Sequence, residues 1–179
     1  MKSFRSLVVL KRPQQELWTA MRDHLVDFAG RIDDIDSIRQ IDRSTDSHGI
    51  VHIVNEWRIH QQLPAAIRTM LKIEQMGWID RNSWNTDTGT CSWSIEPIFL
   101  REFISCSGET AFSTAMAGRG TRVTFAGELD LKPGLLGSLA GIEPMVSGFI
   151  ESIVTTIIPR NLRAVVEAAA AFELPRKDT

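Results

Sequence analysis

The sequence predicts an α+β fold: a curved antiparallel sheet of about six or seven strands wrapped round a long C-terminal helix. Two observations carry that reading. Most of the chain is a succession of segments that alternate apolar and polar residues and are separated by turn-forming residues. The final stretch, from about Glu143 to Phe172, instead repeats its apolar residues at helical spacing. The chain has 179 residues, 43% hydrophobic and 23% charged, which is expected to make one domain over 1–179 with a real core.

The elements follow in order. "FRSLVVL" is rich in β-branched and aromatic residues and reads as a strand. Pro13 suits the first turn of a helix, where its missing N–H costs nothing. Leu17, Met21, Leu25 and Phe28 then continue that helix to a stop near Gly30. "IDDIDSIRQIDR" is a weaker strand, from about Ile35 to Arg43, and "STDSHG" is a turn by composition. In "IVHIVNEWRIHQ" one face holds Val51, Ile53, Asn55, Trp57 and Ile59, as in a half-buried antiparallel strand. On the opposite face Glu56 and Arg58 read as an exposed cross-strand charge set.

Residues Leu63–Met76 predict a short amphipathic helix started by Pro64. "GWIDRNSWN" and "TCSWSIEP" are two strands about the turn "TDTG". "REFISCSGETAFSTAM" and "RGTRVTFAGELDL" form a long hairpin about "AGRG". Glycines at 134, 137 and 141 would let the chain leave the last strand and swing the helix across the sheet. Pro159 removes one helical hydrogen bond and crowds the preceding turn, so a kink or break is expected there. A helix laid in a curved sheet leaves space between them unless bulky side chains fill it.

Composition removes several function classes. The net charge of −2 offers no basic face for nucleic acid. No stretch reaches the roughly 18 apolar residues of a membrane span, and the run Leu7–Leu10 is too short for a signal peptide's core. Cys91 and Cys106 are the only cysteines, without a CxxC, so the reading is a cytoplasmic chain with free thiols. The two could meet if "IEPIFLREF" folds as a hairpin; two buried apolar thiols are the plainer reading. Five Trp and eight Phe, with no Tyr, supply large apolar area that could line a cavity.

Three stretches carry a resemblance: "RPQQELWTAMRD" after the first strand, the hairpin "CSGETAFSTAMAGRGTRVTFAGEL", and the ending "ESIVTTIIPRNLRAVVEAAAAF". Their order resembles the helix-grip fold of the START and pollen-allergen (SRPBCC) superfamily, which includes polyketide cyclases and lipid carriers. Within it the chain looks like the uncharacterised bacterial polyketide-cyclase-like members. The resemblance implies a hydrophobic cavity between helix and sheet. It transfers no catalytic residue, because the superfamily shares no catalytic motif.

The residues themselves add a candidate site. Asn55 faces the same way as Trp57, and Asp80 and Asn82 face the same way as Trp78 and Trp84. If those faces turn inward, polar groups project into an apolar pocket, as in sites that orient a ligand. Asp80 would then have a raised pKa and could serve as acid or base. The alternative is that the strand has the opposite facing, or that these groups are satisfied by backbone or by a neighbouring Arg. Trp57, Trp78, Trp93, Phe112, Phe125, Phe149 and Ile153 would line the cavity. The Leu63–Met76 helix and the loop 134–141 would gate it.

No metal or other cofactor is expected. His52 and His60 share a strand face but lie roughly 26 Å apart, and no Cys/His cluster has zinc spacing. His24, beside an apolar stripe, reads as a packed or surface-edge histidine. No G-x-S-x-G occurs, no Ser/His/Asp grouping follows from spacing, and "GLLGSLAG" lacks the Lys-Ser/Thr of a phosphate loop.

Three functions remain: binding or transport of a hydrophobic small molecule such as a lipid, isoprenoid or polyketide; a cofactorless polyketide cyclase or dehydratase using Asp80; or a protein-interaction module with a collapsed cavity. An open sheet has two edges to protect, and a homodimer through one of them is a further option.

Overall fold

The computed structural model describes residues 2–60, 75–98, 101–102, 104–132 and 158–175, with residues 68, 69, 148, 152 and 156. Seven strands form one antiparallel sheet: β1 (Lys2–Leu10), β2 (Ile35–Thr45), β3 (Val51–Ile59), β4 (Met76–Asn85), β5 (Thr90–Pro97), β6 (Ile104–Ala115) and β7 (Gly120–Leu131). Their order is β1-β7-β6-β5-β4-β3-β2. Strands β2 to β7 are thus a meander, and the first strand closes it by pairing with the last, from Lys2 opposite Leu129 to Leu10 opposite Thr121.

Side-chain alternation decides which face is buried. Along β3, Val51, Ile53, Asn55, Trp57 and Ile59 are buried while the residues between them are half-exposed. On the outer face Arg39 of β2 and Arg58 both bond to Glu56, the charge set expected there. Strand β2 gave a weaker pattern for a physical reason. Its register with β3 shifts between Ile35 and Ser37 and again between Gln40 and Asp42, and each bulge resets the alternation.

Among the described residues, helices α1 (Gln14–Asp23), α2 (Leu25–Phe28) and α3 (Ile158–Ala171) cover the inner face. The single helix expected up to Gly30 is broken at His24, whose backbone leaves the helical region at φ −126°, ψ 15°. That break lets α1 bury Leu17, Trp18 and Ala20 while α2 buries Phe28. The His24 ring packs beside Phe172 and its Nδ1 meets Asp27 at 2.8 Å. Pro13 sits just ahead of α1 rather than within its first turn.

Helix α3 is described from Ile158 and includes Pro159; most of the stretch before it, where the kink or break was expected, lies outside the described residues. Thr156, just ahead, is π-helical, an irregularity of the kind a proline imposes. The far end of α3 is held by a buried cation. Arg12, only 9% exposed, donates from Nη1 to the carbonyls of Ala169 (2.9 Å), Ala170 (2.8 Å) and Phe172. Helices leave their last carbonyls unpaired, and a guanidinium there also suits the negative end of the helix dipole. Thr121 Oγ1 donates to the Arg12 carbonyl at 2.7 Å, so the clamp is itself tied to β7.

One row across the sheet lacks side chains in its middle. Phe4, Gly127, Gly108 and Trp93 are successive cross-strand neighbours on β1, β7, β6 and β5. The rings of Phe4 and Trp93 lean over the two glycines and stack, with centroids 6.0 Å apart. A Cβ at Gly127 would lie 2.6 Å from the Trp93 ring, and one at Gly108 only 2.2 Å from the Ala126 carbonyl oxygen. Only glycine permits this approach.

Candidate functional site

A cavity of ≈ 220 Å³ lies between the middle of the sheet and helices α1, α2 and α3. Its floor is a grid of three rows on β5, β4 and β3. Ile95, Asp80 and Asn55 make the central row; Pro97, Trp78 and Trp57 flank it on one side, Trp93, Asn82 and Ile53 on the other. All nine line the cavity. Asp80 is the centre of the grid.

Two features make Asp80 unusual. It is 8% exposed, and the groups around it are neutral. Its Oδ1 accepts the Asn55 backbone N–H at 3.1 Å, and its Oδ2 accepts Asn82 Nδ2 at 2.8 Å. The Trp57 indole N–H lies near enough to favour the ionised carboxylate, yet makes no hydrogen bond of normal geometry. Burial outweighs all these donors and pushes the carboxyl up to about 6. Asp80 thus faces the cavity and is also held by backbone and side-chain donors.

The aromatic residues divide between lining and filling. Trp57 and Trp78 stack at 5.3 Å and 19°, and they line the cavity with Trp84, Trp93 and Phe125. The Trp93 Nε1–H donates to Thr110 Oγ1 at 3.1 Å, which fixes its ring. Phe112, expected in the lining, is not there. It is 4% exposed and packed edge-on to Trp18, with centroids 5.2 Å apart. The reason is α1, which inserts Trp18 over that end of β6. Phe149, Ile153 and the expected gating loop 134–141 lie outside the described residues, as does most of the expected helix Leu63–Met76, of which Arg68 and Thr69 are helical. Its expected end is corrected, because Met76 is buried as the first residue of β4.

Sequence reasoning missed the rim. Met21, Arg22, Asp23 and Leu25 reach the cavity from the α1–α2 break, and Ile158, Asn161, Leu162 and Val165 from α3. Helix periodicity marks them as apolar or polar, but only packing shows that they meet the strands. At this rim Asp23 binds Arg22 (2.9 Å) and Arg43 (2.6 Å). Burial raises its pKa, and the two arginines more than reverse that, so it stays ionised at lower pH than a free carboxyl.

Of the other candidates, the two cysteines also line the cavity. Cys91 and Cys106 are buried free thiols. Cys91 pairs with Thr110 while Cys106 pairs with Ile95, four residues along the ladder, or about 13 Å at normal strand rise. Burial raises both thiols, Cys106 to about 11. The structure does assemble one Ser–His–Asp chain that spacing did not suggest. His52 Nδ1 meets Ser83 Oγ at 3.0 Å and its Nε2 meets Asp46 Oδ2 at 3.1 Å. It sits on the outer face, where Asp46 also accepts the backbone N–H groups of His48 and Ile50, so it fastens the β2–β3 turn. Among the described residues, no group of three His, Cys, Asp or Glu could hold a metal ion, and no helix is long and apolar enough to cross a membrane.

No protein-family model matches the chain, and no curated protein matches its sequence. Solved structures do match. The Zhui aromatase/cyclase from Streptomyces sp. R1128 superposes with TM-score 0.66 at 11% identity, covering 95% of this chain and 92% of that one. Ara h 8.0201 gives 0.61 at 11%, over 96% and 99%. Norcoclaurine synthase from Thalictrum flavum gives 0.58 at 10%, over 95% and 84%. At such identities the likeness is one of fold, and it extends over nearly the whole chain. The seven-stranded antiparallel sheet with its C-terminal helix is the helix-grip fold.

Proposed function

We propose that this protein binds a small hydrophobic molecule in the cavity between sheet and C-terminal helix, as a carrier or sensor. The observation that supports this best is the cavity itself: apolar over most of its wall, with a single buried acid at the centre of its floor. Pockets that orient ligands are built this way. Its ≈ 220 Å³ equals the liquid volume of about seven waters, which suits a compact ligand or one arm of a longer one. That room also weighs against an interaction module with a collapsed cavity.

A second reading has its own support. A carboxyl whose pKa is about 6 is poised to give or take a proton near neutrality, and two of the structural neighbours are named as a cyclase and a synthase. Under that reading Asp80 is the acid–base group of a cofactorless cyclase or dehydratase.

The test is native mass spectrometry of the protein purified from its own host, with solvent extraction of whatever is bound. A stoichiometric hydrophobic passenger supports the carrier and supplies a substrate to incubate with wild type and Asp80→Asn. Chemical turnover lost in Asp80→Asn selects the second reading. An empty protein with no thermal shift across hydrophobic compounds removes both.

A further inference from the structure

We infer that the ligand's polar group is a cation, a protonated amine carried on an apolar body. This rests on the cavity-binding reading and narrows it. The first observation is an unpaired charge. Asp80 is more than nine-tenths buried, and both hydrogen bonds it accepts come from neutral amide groups. Among the described residues it has no cationic partner. The one cationic side chain among the described residues of the cavity wall, Arg22, is bound to Asp23 at the rim. Buried charges in folded proteins are paired. In this cavity the partner is left for the ligand to provide.

The second observation is what surrounds that carboxyl. Trp78 is two residues along the same strand, and Trp57 and Trp93 are its diagonal neighbours on the adjoining strands. Their faces are the most favourable of the aromatic side chains for a cation, and more so where water is excluded. Trp57 and Trp78 are stacked and therefore held as a pair. An acid at the centre of an indole-lined floor stabilises an ammonium by charge. Trp57 turns its N–H edge toward that acid, so the ring-face contribution falls to Trp78 and Trp93. A carboxylate ligand would meet like charge with no cation to offset it, and a neutral alcohol would leave the carboxylate uncompensated.

Calorimetric titration of the full chain with octylamine, octan-1-ol and octanoate tests this with one apolar tail and three head groups. The expected order is octylamine tighter than octanol by at least about tenfold, with octanoate weakest. Asp80→Asn is expected to bring the amine-to-alcohol ratio to about one. Trp78→Leu, which keeps the charge, is expected to lower that ratio by about twofold to fivefold. Octanol binding wild type as tightly as octylamine would overturn the cation and leave the cavity reading standing. An unchanged ratio in Asp80→Asn would do the same. No heat from any of the three would overturn the cavity reading with it.

Discussion

The two ends of the space beneath the sheet are built from the same kind of residue and are put to opposite use. Under α1, Trp18 meets Trp84 at 88° and Phe112 at 82°, edge against face, and the volume is filled. Over β3 to β5, Trp57 and Trp78 lie nearly parallel, and the volume beside them is open. The strands themselves do not differ, since each presents inward-facing aromatics in the same alternation. What differs is the cover. Helix α1 drives an indole down into the sheet, whereas α3 offers Leu162 and Val165, which reach less far. Trp84 is the partition, touching Trp18 on one side and the cavity on the other.

The comparison can be broken most directly by truncating one indole at each end. Trp18→Ala is expected to cost about 3–5 kcal/mol in urea unfolding, as for a fully packed aromatic. Trp78→Ala, facing space already open, should cost ~1 kcal/mol. Equal losses would mean that the two ends are not packed differently. Next in size is the clamp that holds α3 over the open end. Arg12→Met leaves three carbonyls without their charged donor and is expected to cost ~3 kcal/mol. Thermal melts followed by circular dichroism would show it, and a melting point unchanged from wild type would refute the clamp.

The cavity acid should have the opposite sign. The folded-state pKa of Asp80 is raised from 3.8 to about 6, so its ionisation costs stability at every pH above that value. The cost is relieved as pH falls from about 6 towards 3.8, where the folded carboxyl keeps its proton and the unfolded one does not. Asp80→Asn is therefore expected to stabilise the protein at pH 7.5 by about 1–2 kcal/mol, with the gain gone near pH 4. Denaturant midpoints at the two pH values would check this, and a destabilised variant at pH 7.5 would contradict it. The smallest effect concerns the thiols. With both buried and their pKa values raised by burial, neither should react with a thiol reagent at pH 8 until urea is added.

The strand reading was legible where the facing of a residue is a local matter. The alternation of β3 and β4 was enough to put Asn55, Trp57, Trp78 and Asp80 on one face. Phe112 shows where that stops: its facing was right, but which helix lies above it is not written in β6. The break at His24 had no glycine or proline to announce it. The bulges of β2 erased the pattern they would have been recognised by. The rim at Arg22 and Asp23 was invisible for a similar reason, because it joins α1 to β2 through Arg43, and no local period links them.

The bare row at Gly108 and Gly127 sets how this cavity could change over generations of substitution. Neither glycine can acquire a side chain without striking backbone or ring, so the sheet beneath Trp93 is fixed. Trp93 itself is not fixed in that way; a shorter residue there would open a trough over plain peptide, ending at Phe4. Such a trough offers a ligand no new chemistry, only length. Under the proposed binding function, that one position would set the length of tail the cavity admits, while Asp80, one row away, would still meet the head.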